Sequence, residues 1–102
     1  HRAADIFMID AHHVGGIDAW KRAADIATSV FRPFVTHLSP EIAVHLAAGI
    51  NGVKTVEFMP WSFNLWEKPM EINSNGELIV PQEPGLGVTL NEDLVKSNRM
   101  DV

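Results

Sequence analysis

Apolar residues fall in short runs separated by polar, glycine-bearing and proline-bearing breaks. Ile6-Phe7-Met8-Ile9 is unbroken and ends at Asp10. A run without polar alternation suits a strand covered on both faces, as in a parallel sheet. The loop Ala11-His12-His13-Val14-Gly15-Gly16 follows, and its glycines permit a tight turn. From Ile17 to near Val30 the period changes. Ile17, Trp20, Ala23, Ala24 and Ala27 fall on one helical face, with Lys21, Arg22 and Asp25 elsewhere. Pro33 interrupts that pattern, and Phe34-Val35-Thr36 predicts a second short strand ending at His37.

Ser39-Pro40-Glu41 predicts a helix start: Ser39 as N-cap, proline at the first helical position, an acid in the first turn. That helix runs through Ile42, Val44, Leu46, Ala47 and Ala48 and stops near Gly49 or Asn51-Gly52. Thr55-Val56-Glu57-Phe58-Met59 predicts a third strand, stopped by Pro60. Strand, helix, strand, helix, strand with short loops predicts right-handed parallel crossovers.

Past Pro60 the character changes. Met70 to Asn73 and Glu77 to Val80, joined by Ser74-Asn75-Gly76, predict a β-hairpin. Pro84-Gly85-Leu86-Gly87 predicts a turn, and Asn91-Glu92-Asp93 starts a short C-terminal helix. The expected division is therefore residues 1–60 and residues 61–102. No internal repeat or low-complexity tract is visible.

The 102 residues suffice for one small domain, and an apolar fraction of 46% can build a core. No apolar run approaches the roughly 18 residues of a membrane helix. A net charge of -5, with eight scattered Lys and Arg, argues against nucleic acid. The absence of cysteine excludes disulfides and thiolate metal sites, and fits a reducing cytoplasm. No basic stretch followed by an apolar one opens the chain, so no signal peptide is expected. His1-Arg2-Ala3-Ala4-Asp5 leads at once into an apolar segment, as in an internal stretch of a larger protein or a processed chain.

Each predicted strand ends at or near an ionisable residue: Asp10, His37 and Glu57. In parallel α/β proteins the C-terminal strand ends gather the ligand-facing loops. An acid, an imidazole and a second acid there would make an acid–base set. The same residue types also cap helices, tighten turns or sit satisfied as structural histidines, and residue type alone leaves both readings open.

His37 follows Asp10 by 27 residues, and Glu57 follows His37 by 20. At that spacing DIFMIDAHHVGGIDAWKRAADIA resembles the sixth strand and helix of the mandelate racemase/muconate lactonizing enzyme family, within the enolase superfamily. VTHLSPEIAVHLAAGI resembles the seventh strand and helix, TVEFMPW the eighth strand, and NGELIVPQEPGLGVTLNEDL the tail. The likeness covers about residues 4 to 95. It implies an α/β fold, the C-terminal portion of a (β/α) TIM-type barrel. About three parallel strands with two helices would be followed by a β-hairpin and a short C-terminal helix.

The resemblance also implies roles. His37 would be the general base or acid at the carbon next to a carboxylate. Asp10 would be its dyad partner, and Glu57 would bond the substrate carboxylate and support an enediolate. Such a carbon acid is very weak, so its deprotonation needs a placed base and strong stabilisation of charge on oxygen. In the family Mg²⁺ supplies most of that stabilisation. Its three carboxylate ligands belong to the third to fifth strands, a second base to the second strand, and a capping domain precedes the barrel. None of these falls within the 102 residues. The chain alone is therefore expected to bind no Mg²⁺ in the family manner and to be inactive.

The implied substrate is a small hydroxy acid or acid sugar. The Asp10 loop and SPEIAVHLAAGI favour acid-sugar dehydration over mandelate-type racemisation. His12, His13 and Trp61 are candidate substrate contacts. The spacing of His12, His13, His37 and His45 fits no familiar zinc pattern. Gly15-Gly16 before a helix suits an anion but is explained by the turn alone. A slice of barrel leaves open edges, so a homo-oligomer or pairing with the missing barrel portion is expected. The alternative is a non-catalytic, self-associating interaction module.

Overall fold

A computed structural model describes residues 3–100; residues 1–2 and 101–102, the outer ends of the two expected segments, lie outside the described residues. The chain divides into a unit ending at Phe58 and a unit beginning at Met59.

The first unit runs β1 (Phe7–Asp10), α1 (Ile17–Ser29), β2 (Phe34–His37) and α2 (Pro40–Gly49). β1 and β2 pair in parallel, with Phe7 opposite Phe34, Ile9 opposite Thr36, and Asp10 opposite His37. Parallel neighbours need a crossover, and α1 supplies it. Trp20, Ala24 and Ala27 form its buried face. With Ile9, Phe34 and Leu46 they make the core, at the centre of which the Trp20 and Phe34 rings meet edge to face, 5.6 Å between centroids. The buried indole N–H of Trp20 donates to the Ile9 carbonyl at 3.0 Å, so no polar group is stranded. Ile17, expected on the buried face, is 51% exposed. It is the first residue of the helix, one turn before Trp20, where no core residue covers it.

Two corrections concern the strands and caps. The expected third strand, Thr55 to Met59, is not a regular strand. Phe34 N–H donates to Gly52 O at 3.3 Å and Phe34 O accepts from Lys54 N–H at 2.8 Å, which places Val53 opposite Phe34. A regular parallel ladder would next send Thr36 N–H to the Lys54 carbonyl. It goes instead to Thr55 O at 3.4 Å, one residue further on. The segment therefore carries a bulge. Glu57 N–H then bonds the Thr36 hydroxyl at 3.1 Å rather than a backbone carbonyl. Ser39 stands at the N-cap position of α2 as expected and its carbonyl accepts from Ile42 and Ala43 N–H, but its backbone is left-handed, φ 42°, and its side chain makes no capping bond. Pro40 at the first helical position is as expected.

The second unit is built of turns. A 3-10 helix spans Pro60–Leu65, and Trp66 bridges antiparallel to Leu90. The residues expected as a hairpin meet at a single antiparallel bridge, Ile72 to Leu78, short of two regular strands. Asn73 N–H donates to Glu77 O and Gly76 N–H to Asn73 O, closing the turn. The last helix, α3, spans Glu92–Ser97, and Asn91 caps it by accepting from Leu94 N–H at 3.1 Å. Among the described residues no helix is long and apolar enough to cross a membrane.

Candidate active site

The last rung of the β1–β2 ladder carries the centre of the site. Side chains paired across a parallel ladder point to the same face, so Asp10 and His37 emerge side by side. Asp10 Oδ2 lies 2.6 Å from His37 Nδ1. Its other oxygen, Oδ1, accepts the backbone N–H of His12 at 2.7 Å and of His13 at 3.0 Å. The carboxylate is thus satisfied on both sides while its side chain is 8% exposed.

These bonds hold the Asp10 pKa down at about 2. The His37 ring is the largest cause and the His13 backbone N–H the next; burial opposes them, and the His12 N–H adds to the lowering. An ionised carboxylate only accepts hydrogen bonds, so Nδ1 of His37 carries the proton. In the neutral ring Nε2 then keeps its lone pair. The imidazole remains 32% exposed, open to a substrate.

Glu57 joins this face because of the bulge. Counting regularly from Val53, it would share the face of Phe34 and Thr36, beside the core. The one-residue slip puts it on the His37 face instead. Its Oε2 accepts the Leu38 backbone N–H at 2.7 Å. Asp10, His37 and Glu57 therefore converge, the first two directly and the third through the residue after His37.

His12 and His13 follow Asp10 in the tight loop. His12 Nε2 and the Ser39 hydroxyl are hydrogen-bonded at 2.8 Å. The His13 and His37 rings are 6.3 Å apart between centroids. Trp61 lies on the 3-10 helix of the second unit and is 66% exposed. His45 is half-buried within α2. Sequence reasoning missed three groups: the Thr36 hydroxyl, the Leu38 amide and the Ser39 hydroxyl. Only Ser39 carried a signal, and Ser-Pro reads as a helix cap.

Among the described residues no three His, Cys, Asp or Glu side chains are grouped to hold a metal ion. Asp10 is committed to an imidazole and two amides, and Glu57 to a backbone amide. The residues present do not fit a Mg²⁺ site.

Two parallel strands joined by a helix, with ionisable groups gathered at the strands' C-terminal ends, make an α/β unit of the kind found in (β/α) barrels. Residues 1–94 match the family described as enolase C-terminal domain-like, and the chain belongs to it. It is a C-terminal barrel part of the mandelate racemase/muconate lactonizing enzyme kind.

The chain is 28% identical to D-xylonate dehydratase of Haloferax volcanii over 98% of its own length and 26% of that protein. It is 30% identical to L-talarate/galactarate dehydratase of Salmonella typhimurium over 88% of its length and 22% of that protein. The L-talarate dehydratase of Polaromonas sp. JS666, solved with Mg and L-glucarate, superposes with a TM-score of 0.86 at 37% identity, covering 98% of this chain and 28% of that one. The chain thus spans about a quarter of the length of the relatives it matches.

Proposed function

We propose that this chain supplies the His37 side of the active site of a larger acid-sugar dehydratase. The observation that carries the reading is the Asp10–His37 pair at 2.6 Å, which leaves Nε2 as the proton-accepting atom. His37 Nε2 takes the proton from the carbon next to the substrate carboxylate. The electron pair of that C–H bond moves onto the substrate carboxylate as an enediolate and returns as a carbon–carbon double bond when the hydroxyl on the next carbon leaves as water, taking the proton that His37 holds. Asp10 stabilises the imidazolium that forms and keeps the ring from turning.

Glu57, which takes up a proton on Oε1 when the substrate carboxylate faces it, donates that hydrogen to the substrate carboxylate as charge builds there. His12 and His13 are proposed as further substrate contacts. Mg²⁺, were it held by parts of the parent outside this chain, would supply Lewis-acid stabilisation of that charge. The dehydratase relatives and the magnesium- and glucarate-bound neighbour support an acid sugar as substrate.

The experiment is solvent exchange. The parent enzyme, encoded with its upstream region, should exchange the substrate α-proton in D2O, and His37→Asn should abolish that exchange. The 102-residue chain alone should show neither exchange nor dehydration. Full exchange in the His37→Asn parent would refute the assignment.

A second reading, a self-associating module, is favoured by one feature. Beside the outer edge of β1 lies an open groove of about 370 Å³, lined by Met8, Ile9, Val14 and Ile26 among others. β1 has only β2 as a strand partner among the described residues. In the enzyme reading the preceding strand of the barrel covers that edge.

A further inference from the structure

We propose that Glu57 and His12 are positioning residues for His37: reaching from two other loops, they clamp the left-handed Leu38-Ser39 turn that fixes where the imidazole stands. This rests on the reading of His37 as the base and adds a role to residues otherwise assigned only to substrate.

Leu38 and Ser39 have φ of 52° and 42°. Side chains with a Cβ rarely adopt that region, and two in succession persist only when their surroundings over-determine them. The Ser39 carbonyl accepts the Ile42 and Ala43 amides of α2, and two side-chain bonds hold the turn from the other side. The Glu57 carboxylate accepts the Leu38 N–H at 2.7 Å, a short, charge-assisted contact. His12 Nε2 meets the Ser39 hydroxyl at 2.8 Å. The backbone N–H of His12 is itself held by Asp10 Oδ1 at 2.7 Å, while Asp10 Oδ2 holds the His37 ring. The contacts close a circuit: Asp10 to the His37 ring, along the chain through Leu38 to Ser39, across to His12, and back to Asp10. Relaxing the turn would swing the backbone immediately after His37 and open the ring's bond to Asp10.

Nuclear magnetic resonance on the full chain tests this without turnover. In the unmodified protein the Leu38 amide proton should move as the Glu57 carboxylate is protonated. Glu57→Gln keeps an acceptor, so Leu38 should stay protected from hydrogen exchange while losing that titration. Glu57→Ala should make Leu38 exchange about tenfold faster or more. It should also move the Asp10 midpoint from about 2 back toward 3.8, because the ring bond loosens. His12→Ala and Ser39→Ala should each raise the Asp10 midpoint, and the double variant no further.

A Leu38 amide indifferent to Glu57 protonation overturns the proposal, even if Glu57→Ala fails to fold. So does Glu57→Ala with Leu38 protection and the Asp10 midpoint unchanged. An unmoved midpoint in both His12→Ala and Ser39→Ala removes His12 from the clamp. None of these readouts involves substrate, so the absence of α-proton exchange in the parent would sink the catalytic reading separately.

Discussion

Asp10 and His37 are partners on the final rung of a parallel ladder, and their side chains meet at 2.6 Å. Their separation in sequence is the register itself, because every pair along β1 and β2, from Phe7 and Phe34 onward, differs by the same 27 residues. The backbone thus places the two groups before any side chain packs.

Replacing the acid should disable the base without dismantling the sheet. Asp10→Asn keeps the volume but lets its amide donate to Nδ1, stabilising the wrong tautomer. In the parent enzyme we expect α-proton exchange to fall by about a hundredfold or more, measured by deuterium incorporation. Circular dichroism should be unchanged.

Acid should weaken the first unit. The Asp10 pKa is lowered from 3.8 to about 2 by folding. A depressed carboxylate contributes stability above its unfolded pKa and loses it as pH falls through the folded one. The loss should therefore run from about pH 4 down to about pH 2. With the solvent on its open side, we set the contribution at about 1 kcal/mol. Urea denaturation at several pH values should show it, and Asp10→Asn should flatten it.

Trp20 carries both packing and a hydrogen bond. Trp20→Phe removes the indole bond to the Ile9 carbonyl and trims the core, at about 1–3 kcal/mol. Trp20→Ala opens a cavity beside Phe34 and should cost about 3–5 kcal/mol. The midpoint of urea unfolding should fall in that order.

Two neighbouring glycines should respond with opposite sign. Gly52 has φ +98°, and a Cβ there would stand 3.0 Å from Phe34 Cε1 inside the core. Gly52→Ala should destabilise by about 1–2 kcal/mol. Gly49 ends α2 with nothing near its missing Cβ. Gly49→Ala should stabilise by about 0.5–1 kcal/mol. Thermal melts of the two variants give the comparison.

The isolated chain should associate through the β1 edge. Met8 is 56% exposed there and Ile26 67%. Sedimentation should show species larger than the monomer, and Met8→Lys with Ile26→Lys should shift them toward it.

The paired strands and both helices of the first unit were legible because their apolar periodicities are local. So was the meeting of Asp10 with His37, since strand ends and spacing suffice to suggest it. Ser39 misled for a physical reason. Ser-Pro-Glu is a sound helix start, and α2 does begin there, but the backbone at Ser39 is turned left-handed alongside a contact with His12, 27 residues away. No local pattern encodes such a contact. Ile17 fits the helical face by period, yet burial depends on what stands opposite.

Thr55 to Met59 reads as a regular strand because hydropathy cannot register a slipped hydrogen bond just before it. That slip sets pairing quality against chemistry. Sliding the segment back into the regular register, its length unchanged, would restore an orderly ladder along β2. The same slide would rotate Glu57 toward the core and strip Leu38 of its carboxylate. The tidier sheet would be the disarmed one, its Leu38 amide exchanging freely with solvent.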